Sequence, residues 1–414
     1  MGAGAILAEG FMPESESFTR CLSAGQLVEL DACARCGECL KYCPVQEVTS
    51  DKSISPPEKI RLFREFIANT EGLKSKFFGP GKIDRRLLED FAKAVYECTT
   101  CGACGQACTV GIFTQRLWPM LRREMVRRGL GPFGSQRETP AAVEKTGNPY
   151  GKPAGERFSS WLPAGLKIAG RAKLGYYAGC TGAYEAQPMV RGDVEVLGKI
   201  GEPFTMLDAE EEACCGFPLF ITGQFELLEG LVKRLVDAYA RRGVETLVCS
   251  CPCCVNMMSR DWPPFYGAKL PFRIRHITQY VAAALDGGRL RISGGTGETL
   301  IYHDPCYLSR GVGITEEPRS ILRRIPGANL LEFDRHGAQS RCCGAGGAAR
   351  KVFHDNAIAI ARLSIDEARR KGAHRLVLSC PACYSKVGEA MAGYGENERH
   401  IRIVDIMELL SGVI

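Results

Sequence analysis

No stretch of this chain approaches the eighteen or more apolar residues that a membrane-spanning helix needs, so any membrane role must come through a partner. The opening segment, "MGAGAILAEGFMPESE", has neither a charged n-region nor a long apolar core, which argues against export. Walker spacing, the Rossmann G-x-G-x-x-G and any other flavin-binding motif are missing, so electrons, if the chain handles them, must come from another protein. The aromatic interleaving and recognition motifs typical of nucleic-acid binders are missing too, and a formal charge of +6 over 414 residues is modest. No nucleic-acid partner is expected.

What the chain has in excess is cysteine, twenty-one of them. Small secreted domains use such numbers for disulfides. This chain is long enough for two or three domains with real cores, and its 45% hydrophobic and 24% charged residues are ordinary for a globular protein. We therefore read it as cytoplasmic and reduced, where clustered cysteines are metal ligands or redox groups rather than staples. "RLWPMLRREMVRRG", from Arg116, places five arginines on an amphipathic helical pattern. A solvated helix face is the plain expectation, and docking to an acidic partner or membrane surface the alternative.

Cys33, Cys36, Cys39 and Cys43 form C-x2-C-x2-C-x3-C-P, and Cys98, Cys101, Cys104 and Cys108 repeat the spacing with Thr109 in the place of Pro44. Three thiolates at three-residue intervals wrap one corner of a cubane, and Gly37 and Gly102 let the backbone approach it. In two-cluster ferredoxins the fourth cysteine of each run ligates the other cluster. The expected sets are therefore Cys33, Cys36, Cys39 and Cys108 for one [4Fe-4S] cubane, and Cys98, Cys101, Cys104 and Cys43 for the second. Zinc is the competing reading, although its sites favour two C-x2-C pairs. The 54 intervening residues hold two helical patterns, "SPPEKIRLFREFI" and "RRLLEDFAKAVYEC", the first with Ser55 as a plausible N-cap. A helical domain holding two cubanes in line would serve as an electron wire.

Beyond the Gly/Pro-rich connector "GNPYGKPAGERFSSWLPAG" the chain alternates short apolar runs with amphipathic helices, and it repeats itself. "KLGYYAGC" matches "TLIYHDPC", "ACCGFPLF" matches "RCCGAGGA", and "ETLVCSCPCC" matches "HRLVLSCPAC", with cysteines 126 to 129 residues apart. Strands alternating with helices imply a parallel sheet whose ligands gather at the carboxyl ends of strands. Five cysteines per copy would converge there: Cys180, Cys214, Cys215, Cys251 and Cys254, then Cys306, Cys342, Cys343, Cys380 and Cys383. Adjacent cysteines point in divergent directions, so they suit two irons of an extended cluster. The glycine that follows them allows a sharp turn and brings amide N–H groups toward sulfur. A phosphate cradle is the alternative for "GAGGAARK". Cys253, which stands where the second copy has Ala382, competes with Cys251 and Cys254 as a ligand, and Cys21 and Cys249 read as buried thiols.

The pattern C-x(31–39)-C-C-x(35–36)-C-x-x-C, with glycine directly after the pair, resembles the CCG cysteine-rich domain of heterodisulfide reductases, and a ferredoxin module followed by two such domains is similar to their D-type catalytic subunit. It is similar also to the CCG subunits of sulfate-reducer membrane redox complexes. The resemblance covers residues 31 to 414. It implies an α+β multidomain chain in which a helical two-cluster ferredoxin-like domain precedes two repeated α/β CCG domains. The expected divisions are an N-terminal extension at 1–30, the ferredoxin-like domain at 31–150, a linker at 151–172, and CCG domains at 173–295 and 296–414. The resemblance further implies two noncubane [4Fe-4S] clusters, which together cleave or form a disulfide.

Implied substrates are a coenzyme heterodisulfide or a sulfur-carrier-protein disulfide or trisulfide. Implied partners are a haem-containing membrane subunit or other redox subunits, holding the chain at the inner face of the membrane. Two clusters facing one pocket could each give one electron and hold one sulfur. His303, three residues before Cys306, is a candidate proton donor, the plainer reading being a histidine packed beside the cluster. The rival function is a non-catalytic relay subunit passing electrons from a flavoprotein dehydrogenase (glycolate, lactate or glycerol-3-phosphate type) to quinone. Those relatives commonly lack parts of the last C-x-x-C, whereas all ten positions are present here.

Overall fold

The structure is a computed structural model that describes residues 17–395 and 400–414. The opening segment, with its expected lack of an export signal, lies outside the described residues. The first module is helical, and its core is a nest of aromatic rings: Phe18, Phe63, Phe66 and Phe91 meet at centroid separations of 5.2 to 5.9 Å. Helix Pro56–Glu71 starts at Ser55, in an extended conformation before two prolines, although the serine side chain makes no capping bond. Helix Arg85–Glu97 is capped by the Asp84 carboxylate, which accepts from the Leu87 amide at 2.9 Å.

Two four-stranded sheets follow. The first contains β1 (Leu174–Tyr177), β2 (Phe204–Thr205), β3 (Thr246–Cys249) and β4 (Arg273–His276) in the order β2-β1-β3-β4. The second contains β5 (Thr299–Tyr302), β6 (Asn329–Leu331), β7 (Arg375–Leu378) and β8 (Arg402–Asp405) in the order β6-β5-β7-β8. Every pairing is parallel, so the internal repeat is a repeat of fold. The central strands are short and buried between helices, as apolar runs of a parallel sheet should be. The expected helices lie at Leu228–Arg241 and His354–Arg370, and Gly243 and Gly372 just beyond them turn the chain with positive φ.

Residues 139–161 pack against the first sheet unit. Val143 joins its core, Gly147 O accepts from the Cys214 amide at 2.7 Å, and Arg157 and Trp161 are buried.

The arginine-rich pattern forms helix Thr114–Arg127, and although Arg123 is exposed over the Phe225 ring, most of its arginines are tied into the protein. Arg116 pairs with the buried Asp261 at 2.6 Å, Arg128 pairs with Glu124 at 2.7 Å, and Arg122 is wholly buried. Its guanidinium donates to the carbonyls of Val95 (3.2 Å), Cys98 (2.6 Å), Ile221 (2.8 Å) and Gly347 (2.7 Å). One side chain thus ties the helical module to both sheet units. Replacing Arg122 by Met strands these carbonyls, and we expect a loss on the order of 3 kcal/mol, read as a fall in the anaerobic urea midpoint. A midpoint unchanged within error would show that the modules dock without it.

Candidate metal centres and cavity

The two helical-module loops turn at Gly37 (φ 83°) and Gly102 (φ 75°). A Cβ at Gly102 would lie 2.5 Å from Gln115 Cγ, so the second loop requires glycine there. The fourth cysteines cross over. Cys39 is pushed up to about 11, chiefly by burial and then by the neighbouring thiols of Cys33, Cys36 and Cys108. Cys43 is also pushed up to about 11 by burial, with Lys59 opposing, and its thiol neighbours are Cys98 and Cys101. Cys104, raised by burial, faces Cys98, Cys101 and Cys43. Cys33, Cys36, Cys39 and Cys108 line one small pocket with Pro56 and Ile60, and Cys104 of the second run borders it as well. Pro44 opens a short helix, Pro44–Thr49, whereas the chain turns after Cys108.

In the sheet units every strand-end cysteine lies just past a carboxyl terminus. Cys180 and Cys251 follow the adjacent strands β1 and β3, and Cys306 and Cys380 follow β5 and β7. The adjacent pairs are held alike in both copies. Gly216 and Gly344 have φ of 91° and 84°, and their amides donate to Cys214 Sγ and Cys342 Sγ at 3.4 Å each. A Cβ at Gly344 would meet Ala357 O at 2.3 Å.

Within the first set Cys180 faces Cys214, and Cys215 Sγ lies 3.3 Å from Cys254 Sγ. Hydrogen bonds from Cys214 and Cys254 hold the Cys215 thiol down to about 6 against its burial. Within the second set Cys306 faces Cys342, and Cys343 faces Cys383.

The two sets meet. Cys251 and Cys253 both face Cys380 across the repeat boundary. One cavity of about 360 Å³ is lined by Cys180, Cys214, Cys215, Cys251, Cys253 and Cys254 on one side and by Cys306, Cys343, Cys380 and Cys383 on the other. Tyr150, Arg350 and Lys351 also line it. Cys342 turns instead toward Cys101 of the helical module. The loop after it is a docking device rather than an open phosphate cradle: Cβ atoms at Gly346 and Gly347 would fall 2.3 Å from the carbonyls of Thr99 and Cys98. Arg310 Nε, donating to Cys101 O at 2.8 Å, reinforces the same junction.

His303 is buried beside Cys343 and Cys383, with one ring nitrogen and both Sγ atoms all within 4.8 Å of one another, and its Nε2 has no hydrogen-bond partner. The sequence repeat aligns it with Tyr177, whose hydroxyl donates to Ala213 O at 2.8 Å. The copies also differ in charge. Arg157, out of the connector, reaches Cys180 Sγ at 3.8 Å and pairs with the fully buried Glu212 at 3.3 Å. At the Glu212 position the second copy has Ser340. Sequence reading missed Arg157, since nothing marks a lone arginine in a Gly/Pro-rich stretch. Cys21 and Cys249 are buried, as expected for unmatched thiols.

Eight thiols in two crossed sets and ten around a cavity, all free, suit iron-sulfur clusters, because soft donors converge there in the numbers that tetranuclear sites need. Comparison with known proteins agrees. Residues 29–112 match the family profile of the 4Fe-4S dicluster domain, and residues 174–259 and 300–388 match that of the cysteine-rich domain. Dicluster domain plus paired cysteine-rich domains define an iron-sulfur electron-transfer protein of a multi-component redox complex, with cubane [4Fe-4S] clusters in the first and noncubane ones in the second.

The D-type component of dihydromethanophenazine:CoB–CoM heterodisulfide reductase from Methanosarcina acetivorans is 37% identical over 397 residues, 95% of this chain and 96% of that protein. The B-type component of the CoM/CoB fumarate reductase from Methanothermobacter marburgensis is 26% identical over 92% of this chain and 72% of that one. A crystal structure of a hypothetical protein from Helicobacter pylori shares the fold at 9% identity, with a TM-score of 0.50 over 95% of this chain and 73% of that one. The chain belongs to the D-type family of heterodisulfide reductase proteins. No helix among the described residues is long and apolar enough to cross a membrane.

Behind the first thiol set lies Asp193, which accepts from Tyr176 at 2.6 Å and from Ser250, the residue before Cys251. Burial raises its carboxyl to about 7, and Asp405 beside it is raised as well. Because the folded value exceeds the unfolded one, the fold binds more protons than the unfolded chain, and stability declines as pH rises from about 4 through 7. Asp193→Asn should flatten that decline in anaerobic urea melts. An unchanged slope would place the titration elsewhere.

Proposed function

We propose that this chain is the iron-sulfur catalytic subunit of a heterodisulfide-reductase-like complex, reducing or forming a disulfide between its two cysteine-rich sites. The observation that carries this reading is the single cavity onto which both strand-end thiol sets open, with Cys251 and Cys380 at its seam. Substrate would be a coenzyme heterodisulfide or the disulfide or trisulfide of a sulfur-carrier protein. Reduction follows RS–SR′ + 2e⁻ + 2H⁺ → RSH + R′SH, and the reverse reaction returns the electrons.

In this assignment Cys33, Cys36, Cys39 and Cys108 hold one cubane, and Cys98, Cys101, Cys104 and Cys43 the other. Cys180, Cys214, Cys215, Cys251 and Cys254 hold the first noncubane cluster, and Cys306, Cys342, Cys343, Cys380 and Cys383 the second. When bound, the clusters supply one-electron steps on either side of the substrate bond, which needs two electrons. The chain's own residues do the rest. Gly216 and Gly344 amides stabilise charge on sulfur. Lys351, over the Tyr150 ring, gives the cavity a cationic side suited to an anionic substrate, while Arg350 beside it is paired with Glu185 at 2.6 Å. His303 holds a proton at a buried ring nitrogen beside Cys343, where a departing thiolate would need it. Cys101 and Cys342 approach each other, so the residues that would hold the second cubane adjoin those that would hold the second noncubane cluster. Cys253, facing both halves, is assigned no iron. Partners would be a haem-containing membrane subunit or other redox subunits, on the cytoplasmic face.

The isolated chain, reduced by viologen without oxygen, is expected to turn over a coenzyme heterodisulfide or a disulfide-bearing carrier protein. His303→Gln should slow turnover at least 10-fold with iron retained. Absence of turnover with both substrates would make the chain a relay.

A further inference from the structure

One feature of the helical module serves neither its core nor its thiols. After helix Pro56–Glu71 the chain forms the short helix Leu73–Phe78 and turns back through Gly79, Pro80 and Gly81. Leu73, Phe77 and Phe78 are 71%, 76% and 89% exposed, although the aromatic core of the same module lies at the base of the turn. Lys74, Lys76, Lys82 and Arg86 are exposed around them. Of the carboxylates nearby, Glu71 is turned inward, accepting from the Phe18 amide at 2.6 Å and the Thr19 hydroxyl at 2.8 Å, and Glu89 is paired with Arg85 at 2.9 Å. Asp84 caps the next helix, and Asp90 is exposed beyond it. The base is firm: Gly81 N donates to Asn69 O at 2.9 Å, and Ile83 returns into the core. Two phenylalanines and a leucine are thus held out on a fixed, basic turn.

We propose that this turn, residues 72–86, seats the protein directly on an anionic phospholipid surface. Adjacent exposed aromatic rings flanked by lysines match the requirement for insertion at the headgroup boundary: apolar side chains enter the acyl edge while ammonium groups meet phosphate. A protein partner is the weaker fit. A phenylalanine buries about 150–250 Å², so the tip offers on the order of 500 Å², short of the roughly 800 Å² per partner of a stable pair. The arginine-rich helix 114–127, the sequence's own candidate for this role, is mostly spent on internal contacts. Helix Pro56–Glu71 has the first thiol pocket at its N-terminal end and the tip beyond its C-terminal end, about 24 Å apart along the axis. Membrane seating would therefore bear on the module proposed to hold the two cubanes.

The test is co-sedimentation of the anaerobic full-length protein with vesicles of phosphatidylcholine alone and of phosphatidylcholine with about 30% phosphatidylglycerol. Binding to the anionic vesicles should exceed binding to neutral ones at least 10-fold and weaken in 0.5 M salt. F77E/F78E and, separately, K74E/K76E should each cut it at least 10-fold, with iron content and viologen-driven turnover unchanged. No vesicle binding by the unaltered protein, or binding that both variants retain, overturns the proposal. So does binding that appears only on native membranes carrying partner subunits, which would assign the tip to a protein.

Discussion

A guanidinium buried without a carboxylate partner among the described residues sets the arrangement of this molecule. Arg122 spends its donors on backbone carbonyls of the helical module, the first sheet unit and the loop after Cys343. A bare cation in a protein interior is costly, and carbonyl dipoles offset only part of that cost. Burial pulls its proton affinity down, and among the groups opposing that pull the largest is the Cys98 thiol. The anionic ligand sphere of a cluster at the second loop would complete the neutralisation. Docking of the modules and loading of that site are then one problem solved by one side chain. The loop glycines belong to the same solution, since Gly346 and Gly347 allow their backbone to lie against Thr99 and Cys98.

Duplication explains the cavity. Each sheet unit places strand-end cysteines at the carboxyl edge of its central pair, and joining two such edges at Cys251 and Cys380 produces a space with thiols on both sides. The copies are not equivalent, because Tyr177 and the Arg157–Glu212 pair stand on one side and His303 with Ser340 on the other. The first side thus sets the Arg157–Glu212 pair beside Cys180, and the second sets a buried imidazole beside Cys343 and Cys383.

Much of this was legible in the sequence because ligand chemistry is local. Cysteine spacing anticipated that the fourth thiol of each run crosses to the other run, and short apolar runs ending at cysteine anticipated the strands that end at the cavity. What escaped was non-local. Nothing distinguishes Arg122 from its four neighbouring arginines until the helix is packed, and the pattern suggested a surface where the fold makes a hub. Arg157 and Trp161 sit in a stretch whose glycines and prolines read as a linker, yet their burial makes it part of the first sheet unit. The exposed rings of Phe77 and Phe78 were hidden for the opposite reason, since hydrophobic residues in a helical segment suggest core.

The central claim is that four tetranuclear clusters occupy the chain, two of them across the cavity from one another. Iron and acid-labile sulfide per chain, measured after anaerobic purification, test it most directly. The account predicts roughly 16 of each. A value of roughly 8, with the cavity thiols free to alkylation, would contradict it and leave a two-cubane wire with an empty chamber.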